Sequence, residues 1–321
     1  MRRLVVAALV PLVGCGLVAP LDGLTGGDGG GPAGDDATIQ PPAEAGDDAP
    51  VEGQDAQADA GTDASDAGPD ATDAGTNRDA SGGSDAGRDA GVTYASSVLS
   101  DGPLAYWHLD EAAGPTAHDA SGHGNDATYV GTVTFGAAGA LASSSDAAVT
   151  LDGATGYLDA GDRFNFAGNA PMTIELWARP VALSTSYQRL VAREGDAGAP
   201  RVGYLVFLRD PSGSSDPNTG SFERWIANTQ EPCPMTAAVA ENQWHYVVAT
   251  YDGAQQTLYY DDALASSVQA TGSMATFSAP FLVGTSTFDP AYFAGDVDEV
   301  AVYGSALDKA RIDAHWAASG R

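Results

Sequence analysis

From Leu21 to Gly91 the chain holds no aromatic residue and few aliphatic ones, and that absence decides where a folded body can form. The stretch is built from Asp, Ala, Gly, Ser, Thr and Pro, with a degenerate Asp-Ala repeat in DAQADAGTDASDAGPDATDAGTNRDASGGSDAGRDAG. Seventeen acids between residues 21 and 93 face only Arg78 and Arg88. Ordering one residue costs about 1–2 kcal/mol of backbone entropy, and this composition has no apolar burial to offset it. Like charges add self-repulsion, so residues 15–93 are expected to form a disordered, extended acidic tether. Spaced Asp residues can also suggest calcium repeats. Those need a periodic apolar residue to build a solenoid, and none recurs here.

Before the tether, Arg2 and Arg3 precede a short apolar run from Leu4 to Val13. A bilayer span needs about 20 apolar residues, so residues 1–14 read as an export signal. The end of that run, Leu12-Val13-Gly14-Cys15, resembles the lipobox of bacterial lipoproteins. The resemblance implies cleavage before Cys15, acylation of its thiol and attachment to a membrane through that lipid. A plain signal peptide with a chance Cys is the alternative. Gly16 follows, with no Asp to suggest inner-membrane retention, so the outer membrane or cell surface is the expected destination. A net charge of −29 argues against nucleic acid, because phosphate binding needs clustered Lys and Arg. The second Cys, Cys233, lies between Pro232 and Pro234. With Cys15 lipidated it has no intrachain partner, so a buried, inert thiol is expected.

Apolar content returns at Tyr94, and residues 94–321 suit one all-β domain. Short strand signals recur: 105–109, 147–151, 157–158, 172–180, 188–193, 203–209, 222–228, 244–253, 256–262, 280–285 and 294–304. Asp252-Gly253 is a strong hairpin turn. In 172–178, alternation places Met172, Ile174, Leu176 and Ala178 on one face and Thr173, Glu175 and Trp177 on the other. Trp177 suggests that this second face is also covered. Ser305 to Ala318 reads as the one helix, with Ile312 and Trp316 as an i, i+4 pair and Leu307, Arg311 and His315 near one stripe. Strands at this spacing argue for an antiparallel two-sheet sandwich with a short C-terminal helix.

Six segments carry a resemblance to a known family: GPLAYWHLDEAAGPTAHDASGHGNDATYVG, VTLDGATGYLDAG, PMTIELWARP, NQWHYVVATYDG, LYYDDAL and FAGDVDEVAVYGSALDKARIDAHW. In that order they resemble the landmarks of bacterial LamG-like domains, of the concanavalin A-like lectin/glucanase superfamily, over about residues 97–318. The resemblance implies a jelly roll of two curved sheets with one concave face and, in many members, a structural calcium. It does not imply one ligand, since relatives bind glycans, proteins or lipids and some are hydrolases.

The loop HDASGHGNDATYVG, residues 118–131, is the densest polar motif. Calcium takes six to eight oxygens. Asp119, Ser121 and Asn125 could supply some, although His123 stands where a further oxygen would be wanted. In related jelly rolls a carboxylate of the last strand reaches the N-terminal segment. Asp119 and Asn125 with Asp298 are therefore the expected structural calcium site. Asx turns at Asp119 and Asn125 are the plain alternative. Zinc at His118 and His123 lacks ligands, since zinc needs three or four.

No catalytic residues are expected. Glu175 has no acidic partner at glucanase spacing, Asp296 and Asp298 fall on the closing strand, and no G-x-S-x-G, H-E-x-x-H or P-loop occurs. Ligand contacts could come from Tyr187, Tyr204, Arg209, Trp225 or Tyr292, each of which could equally be packing. The sequence thus describes an envelope-anchored module that binds a glycan or an extracellular protein. A glycan-processing enzyme and a structural envelope-assembly protein are the alternatives.

Overall fold

The computed structural model describes residues 93–142, 145–195 and 200–321. The expected signal segment (1–14), the lipidated Cys15 and the tether as far as Val92 lie outside the described residues. The described chain opens with α1 (Tyr94–Ser100), β1 (Ala105–Trp107), β2 (Thr116–Ala117), β3 (Ala127–Val130) and β4 (Val133–Ala138). It continues through β5 (Ala147–Asp152), β6 (Tyr157–Asp159), β7 (Met172–Pro180), β8 (Gln188–Gly195), β9 (Val202–Leu208) and β10 (Gly220–Ile226). Then come β11 (Thr229–Met235), β12 (His245–Tyr251), β13 (Gln255–Tyr260), β14 (Ala263–Gln269), β15 (Leu282–Val283) and β16 (Ala294–Tyr303), and α2 (Lys309–Ala318) closes the chain.

The strands form two antiparallel eight-stranded sheets. The first runs β14-β13-β12-β7-β16-β5-β4, with β1 also paired to β16; the second runs β11-β10-β9-β8-β15-β6-β3-β2. Neighbours far apart in sequence, such as β7 with β16, make this a jelly-roll sandwich. The core lies between the sheets. Met172, Ile174, Leu176 and Ala178 of β7 and Val297, Val300 and Val302 of β16 meet Val191 of β8, Tyr204, Val206 and Leu208 of β9 and Phe222 of β10. Trp107 closes one end against Phe164 and Phe281, with ring centroids 6.1 Å away in both cases. Turn chemistry agrees with the sequence at Asp252-Gly253. Asp252 Oδ1 accepts from the N–H groups of Ala254 (2.8 Å) and Gln255 (2.7 Å), and Gly253 takes the left-handed φ of 104°.

Three expectations need correction. Trp177 is covered as foreseen, but by helices rather than a sheet. Its ring stacks on Trp316 of α2 at 5.5 Å and on Tyr246 at 5.0 Å, and Tyr94 of α1 adds an edge contact at 6.4 Å. Helix α2 starts at Lys309, not Ser305, because Asp308 is the N-cap and accepts from Arg311 N at 2.9 Å. Six elements lacked a clear sequence signal: α1, β2, β3, β4, β11 and β14. Helix α1 is a short stretch of seven residues, YASSVLS, capped by Thr93. Strand β11 carries Pro232 and Pro234, which a sheet tolerates only at its edge, and the edge is where β11 lies.

The covered outer face of the first sheet holds a buried ionic network. Glu175 accepts hydrogen bonds from Tyr246 Oη (2.6 Å), Tyr303 Oη (2.7 Å) and His315 Nδ1 (3.0 Å). The opposite nitrogen, His315 Nε2, lies 2.9 Å from Asp101 Oδ2, and Asp101 also accepts from Arg311 Nε at 2.7 Å. Burial disfavours charge on His315, but the hydrogen bond to Glu175 and the fields of Glu175 and Asp101 outweigh it and raise the pKa above 6.5. A histidine with a raised folded pKa contributes its full stability below about pH 6.5 and loses it as pH rises through the folded value. We therefore expect thermal unfolding to show a loss of stability on going from pH 6 to pH 9, and His315→Gln to lose less over the same interval. Identical pH slopes for the two proteins would show that His315 does not hold its proton in the fold. His315→Ala, which strands the buried Glu175 without its cation, should cost about 3–5 kcal/mol.

Candidate functional site

Among the described residues, no helix packs on the outer face of the second sheet. Registry across β8, β9, β10 and β11 aligns outward rows: Arg189 with Phe207 and Ser221, Leu205 with Glu223 and Pro232, and Gly203 with Trp225 and Gln230. The inward partners on β10, Phe222 and Arg224, are buried. A bulge between Arg189 and Val191 sends Leu190 and Val191 both into the core and leaves Arg189 outside. All of these outward residues except Leu205 and Gly203 line a cavity of about 400 Å³, together with Tyr187, Arg201, Asp216, Asn218 and Asp289. A second cavity of about 690 Å³, lined by residues 184–188 and 289–292 and by the Asp152-Gly153 turn, shares Tyr187 and Asp289 with it.

The groove's polar groups hold one another in place. Tyr187, 40% exposed, meets Phe207 edge-on at 4.8 Å and accepts a 3.3 Å hydrogen bond from Arg209 Nη1. Arg209 pairs with Asp216 at 2.8 Å, and Arg189 lies 3.4 Å from Asp289. Arg201 donates from Nε to the buried Glu194 at 2.9 Å. Its guanidinium carbon lies 3.7 Å from the ring centre of Trp225 and 4.4 Å from that of the exposed Phe288. Glu223 accepts from Trp225 Nε1 (3.0 Å) and Gln230 Nε2 (2.6 Å), yet burial dominates and raises its pKa. Exposed aromatic rings among fixed donors and acceptors suit binding of an amphipathic ligand such as a sugar.

The candidate contacts separate cleanly. Tyr187 and Trp225 line the first cavity, and Tyr292 lines the second. Arg209 is buried and positions Tyr187. Tyr204 is a core residue whose hydroxyl donates to Phe164 O at 2.7 Å, so it is not a ligand contact. Arg189, Glu223 and Phe288 were not anticipated. For Arg189 and Glu223 the signal is the outward phase of β8 and β10, visible in FERWI once Phe222 is assigned inward, whereas Phe288 lies in the loop between β15 and β16, where no strand phase marks it.

Asp119 and Asn125 are engaged locally. The Asp119 carboxylate accepts from the N–H groups of Tyr106 (3.0 Å), Ser121 (2.9 Å) and Asn125 (2.8 Å) and from Ser121 Oγ (2.8 Å). Partial burial works against ionisation, but these donors prevail and lower its pKa. Asn125 donates to Leu104 O at 2.7 Å, and its carbonyl accepts from Trp107 Nε1 at 3.0 Å. The loop is thus an Asx-type turn that pins β1 and Trp107. His118 lies 3.8 Å from Asp126, and His123 Nδ1 lies 3.1 Å from Ser121 Oγ. Cys233 is a free, buried thiol whose pKa burial raises.

Asp298 belongs to a different cluster. Asp146, Asp298 and Glu299 bring their ligand oxygens within 4.8 Å of one another, and among the described residues this is the one such trio. A bulge in β16, with Glu299 at φ 52°, turns the side chains of Asp298 and Glu299 away from the core valines. Asp298 Oδ2 accepts from Ala140 N at 2.7 Å, while its buried Oδ1 accepts no hydrogen bond. Glu299 accepts from Tyr106 Oη and lies 3.3 Å from His108 Nδ1. Burial, then mutual repulsion, raises the Asp298 pKa well above the usual range, and burial lifts Glu299 to about 7. An orphaned carboxylate oxygen among three acids fits a metal ion, which would neutralise them.

The chain belongs to the concanavalin A-like lectin/glucanases superfamily, whose family model matches residues 152–313. Among solved structures it is similar to domain 4 of AbnA, a GH43 extracellular arabinanase from Geobacillus stearothermophilus, in complex with arabinotriose. That match has 19% identity and a TM-score of 0.53, covering 66% of this chain and 97% of that one. The binding domain of Paraclostridial Mosquitocidal Protein 1 matches at 14% identity and a TM-score of 0.53, over 68% of this chain and 52% of that one. The botulinum neurotoxin serotype G binding domain matches at 11% identity and a TM-score of 0.51, over 67% and 50%. The chain therefore spans about half the length of the two toxin domains, and at these identities the likeness is one of fold. No curated protein matches the sequence.

A metal that binds the folded chain at a hundred times its dissociation constant adds about 2.7 kcal/mol. For a domain of this size that corresponds to a rise in Tm of roughly 5–10 °C. Divalent-cation titration followed by scanning calorimetry should show that rise in wild type and not in Asp298→Asn. An equal rise in both would place the ion elsewhere.

Proposed function

We propose that this protein is a non-catalytic binding module that recognises a glycan through the outer groove of its second sheet. The observation that carries the reading is the set of partly exposed rings, Tyr187, Trp225 and Phe288, held among hydrogen-bonding side chains at a sheet face that no helix of the described residues covers. The superfamily assignment and the arabinotriose held by the AbnA domain support it. Binding is favoured over hydrolysis because Glu194, Asp216 and Asp289 are each paired with an arginine, which leaves Glu223 without a second free carboxylate. The trio Asp146, Asp298 and Glu299 is read as a calcium site, since all its ligands are hard oxygens. Its role is structural: it joins the last strand to the segment around residue 146. On this reading the apolar run after Arg2 and Arg3 is an export signal and Cys15 a lipid anchor, and the acidic stretch that follows supports a module at the outer membrane or cell surface, held away from the lipid.

A glycan array that includes arabinotriose, read with and without calcium, tests the reading. Trp225→Ala should weaken any binding found by about tenfold or more while the Tm stays close to wild type. Release of reducing sugar from a bound glycan would favour the glycan-processing alternative. A silent array combined with capture of an envelope protein would favour an assembly role.

A further inference from the structure

The two cavities do not end against each other: Tyr187 and Asp289 belong to both. Ser184, Thr185, Ser186, Asp289 and Pro290 on the walls of the larger one are exposed, so its sides are open loops. At the shared crest the Tyr187 ring is fixed from below by Phe207 and at its hydroxyl by Arg209. A ring already held in place loses little freedom when a ligand stacks on it.

The charges are also balanced. Arg189, Arg201 and Arg209 each face a carboxylate of the chain, Asp289, Glu194 and Asp216 respectively. Glu223 adds a further acid without an arginine of its own. Around the groove, residues 94–321 hold 26 acids against 10 bases. An anionic ligand would meet no free cation among the described residues of the groove and a net repulsive field.

Building on the glycan reading, we propose that the groove takes an internal stretch of an uncharged polysaccharide chain, running over Tyr187 from one cavity into the other. A single terminal sugar would fill one cavity and leave the crest and the other cavity unused. A chain crossing the crest uses both cavities, and its hydroxyls meet Glu223, Gln230 and Asn218 on one side and the residue 184–186 loop on the other.

Titration calorimetry on the full chain tests this with arabino-, xylo- and gluco-oligosaccharides from one to about six units, with polygalacturonate as the charged comparison. In the series that binds, affinity should rise by about tenfold or more from the shortest to the longest member. Tyr187→Ala should remove most of that rise, and Tyr187→Trp should keep it. Tyr292→Ala, in the second cavity, should weaken the longest member while leaving the shortest unchanged. Equal affinity for a monosaccharide and the longest oligomer, or tighter binding of polygalacturonate than of any neutral series, would overturn the proposal while leaving the glycan reading intact. Absence of binding to every carbohydrate would overturn both.

Discussion

Strand β7 is buried on both faces, and that double burial governs how the rest of the domain is arranged. Between Met172 and Ala178 one face supplies core residues to the space between the sheets, while the other supplies Thr173, Glu175 and Trp177. A buried carboxylate and an indole on the second face cannot be left bare, because each needs partners that water no longer provides. Helices α1 and α2 meet that need, with Tyr94, Trp316 and His315 closing over the face. The helix pair therefore completes β7 rather than decorating it. Both helices of the described residues are committed to the first sheet, and the groove lies on the outer face of the second.

The parts of the fold that follow strict alternation were legible in the sequence. β7 was placed at its full extent because its period of two runs unbroken and its residues are branched, aromatic or long. β16 was found as a strand, but its faces were not. A left-handed residue at Glu299 inserts a bulge, so Val300 points inward where alternation would have grouped it with Asp298. No local pattern signals that insertion, because a bulge is fixed by the partner strands β1 and β7. The same limit applies to Leu190 in β8, whose inward turn presents Arg189 to the groove. Strands β3 and β4 were silent for another reason. They lie at or near sheet edges and are half exposed, so they carry Thr, Gly and Ala rather than a run of apolar residues.

The candidate sites show the same division. The sequence groups Asp298 with Asp119 and Asn125, whereas the structure gathers it with Asp146 and Glu299. Asp119 looked like a ligand because it sits among Ser, Gly and Asn, but that composition equally satisfies a carboxylate with backbone donors. The structure uses it in that second way. Asp146 comes from the segment before β5, remote in sequence and flanked by nothing that marks it. What brings it to Asp298 is the approach of that segment to β16, a tertiary fact. The bulge between Asp298 and Ala301 brings Val300 and Val302 onto the same inward face as Val297. Its consequence is electrostatic: it gathers acids whose charge the fold must neutralise by protons or by a cation.

Electrostatics also separates the groove from an ordinary stretch of acidic surface. An arginine on an exposed sheet would sample many rotamers, and ordering it would cost binding free energy. Here the three guanidiniums are immobilised by carboxylates or rings of the same chain, so their positions are set before any ligand arrives. The cost of holding them is met in folding. Because their charge is already answered, what they offer a partner is shape and a rigid frame for Tyr187, Trp225 and Phe288. Such a surface discriminates by fit and stacking rather than by long-range attraction. Salt, which screens unpaired charges over about 8 Å at physiological strength, should therefore have little hold over what this face recognises.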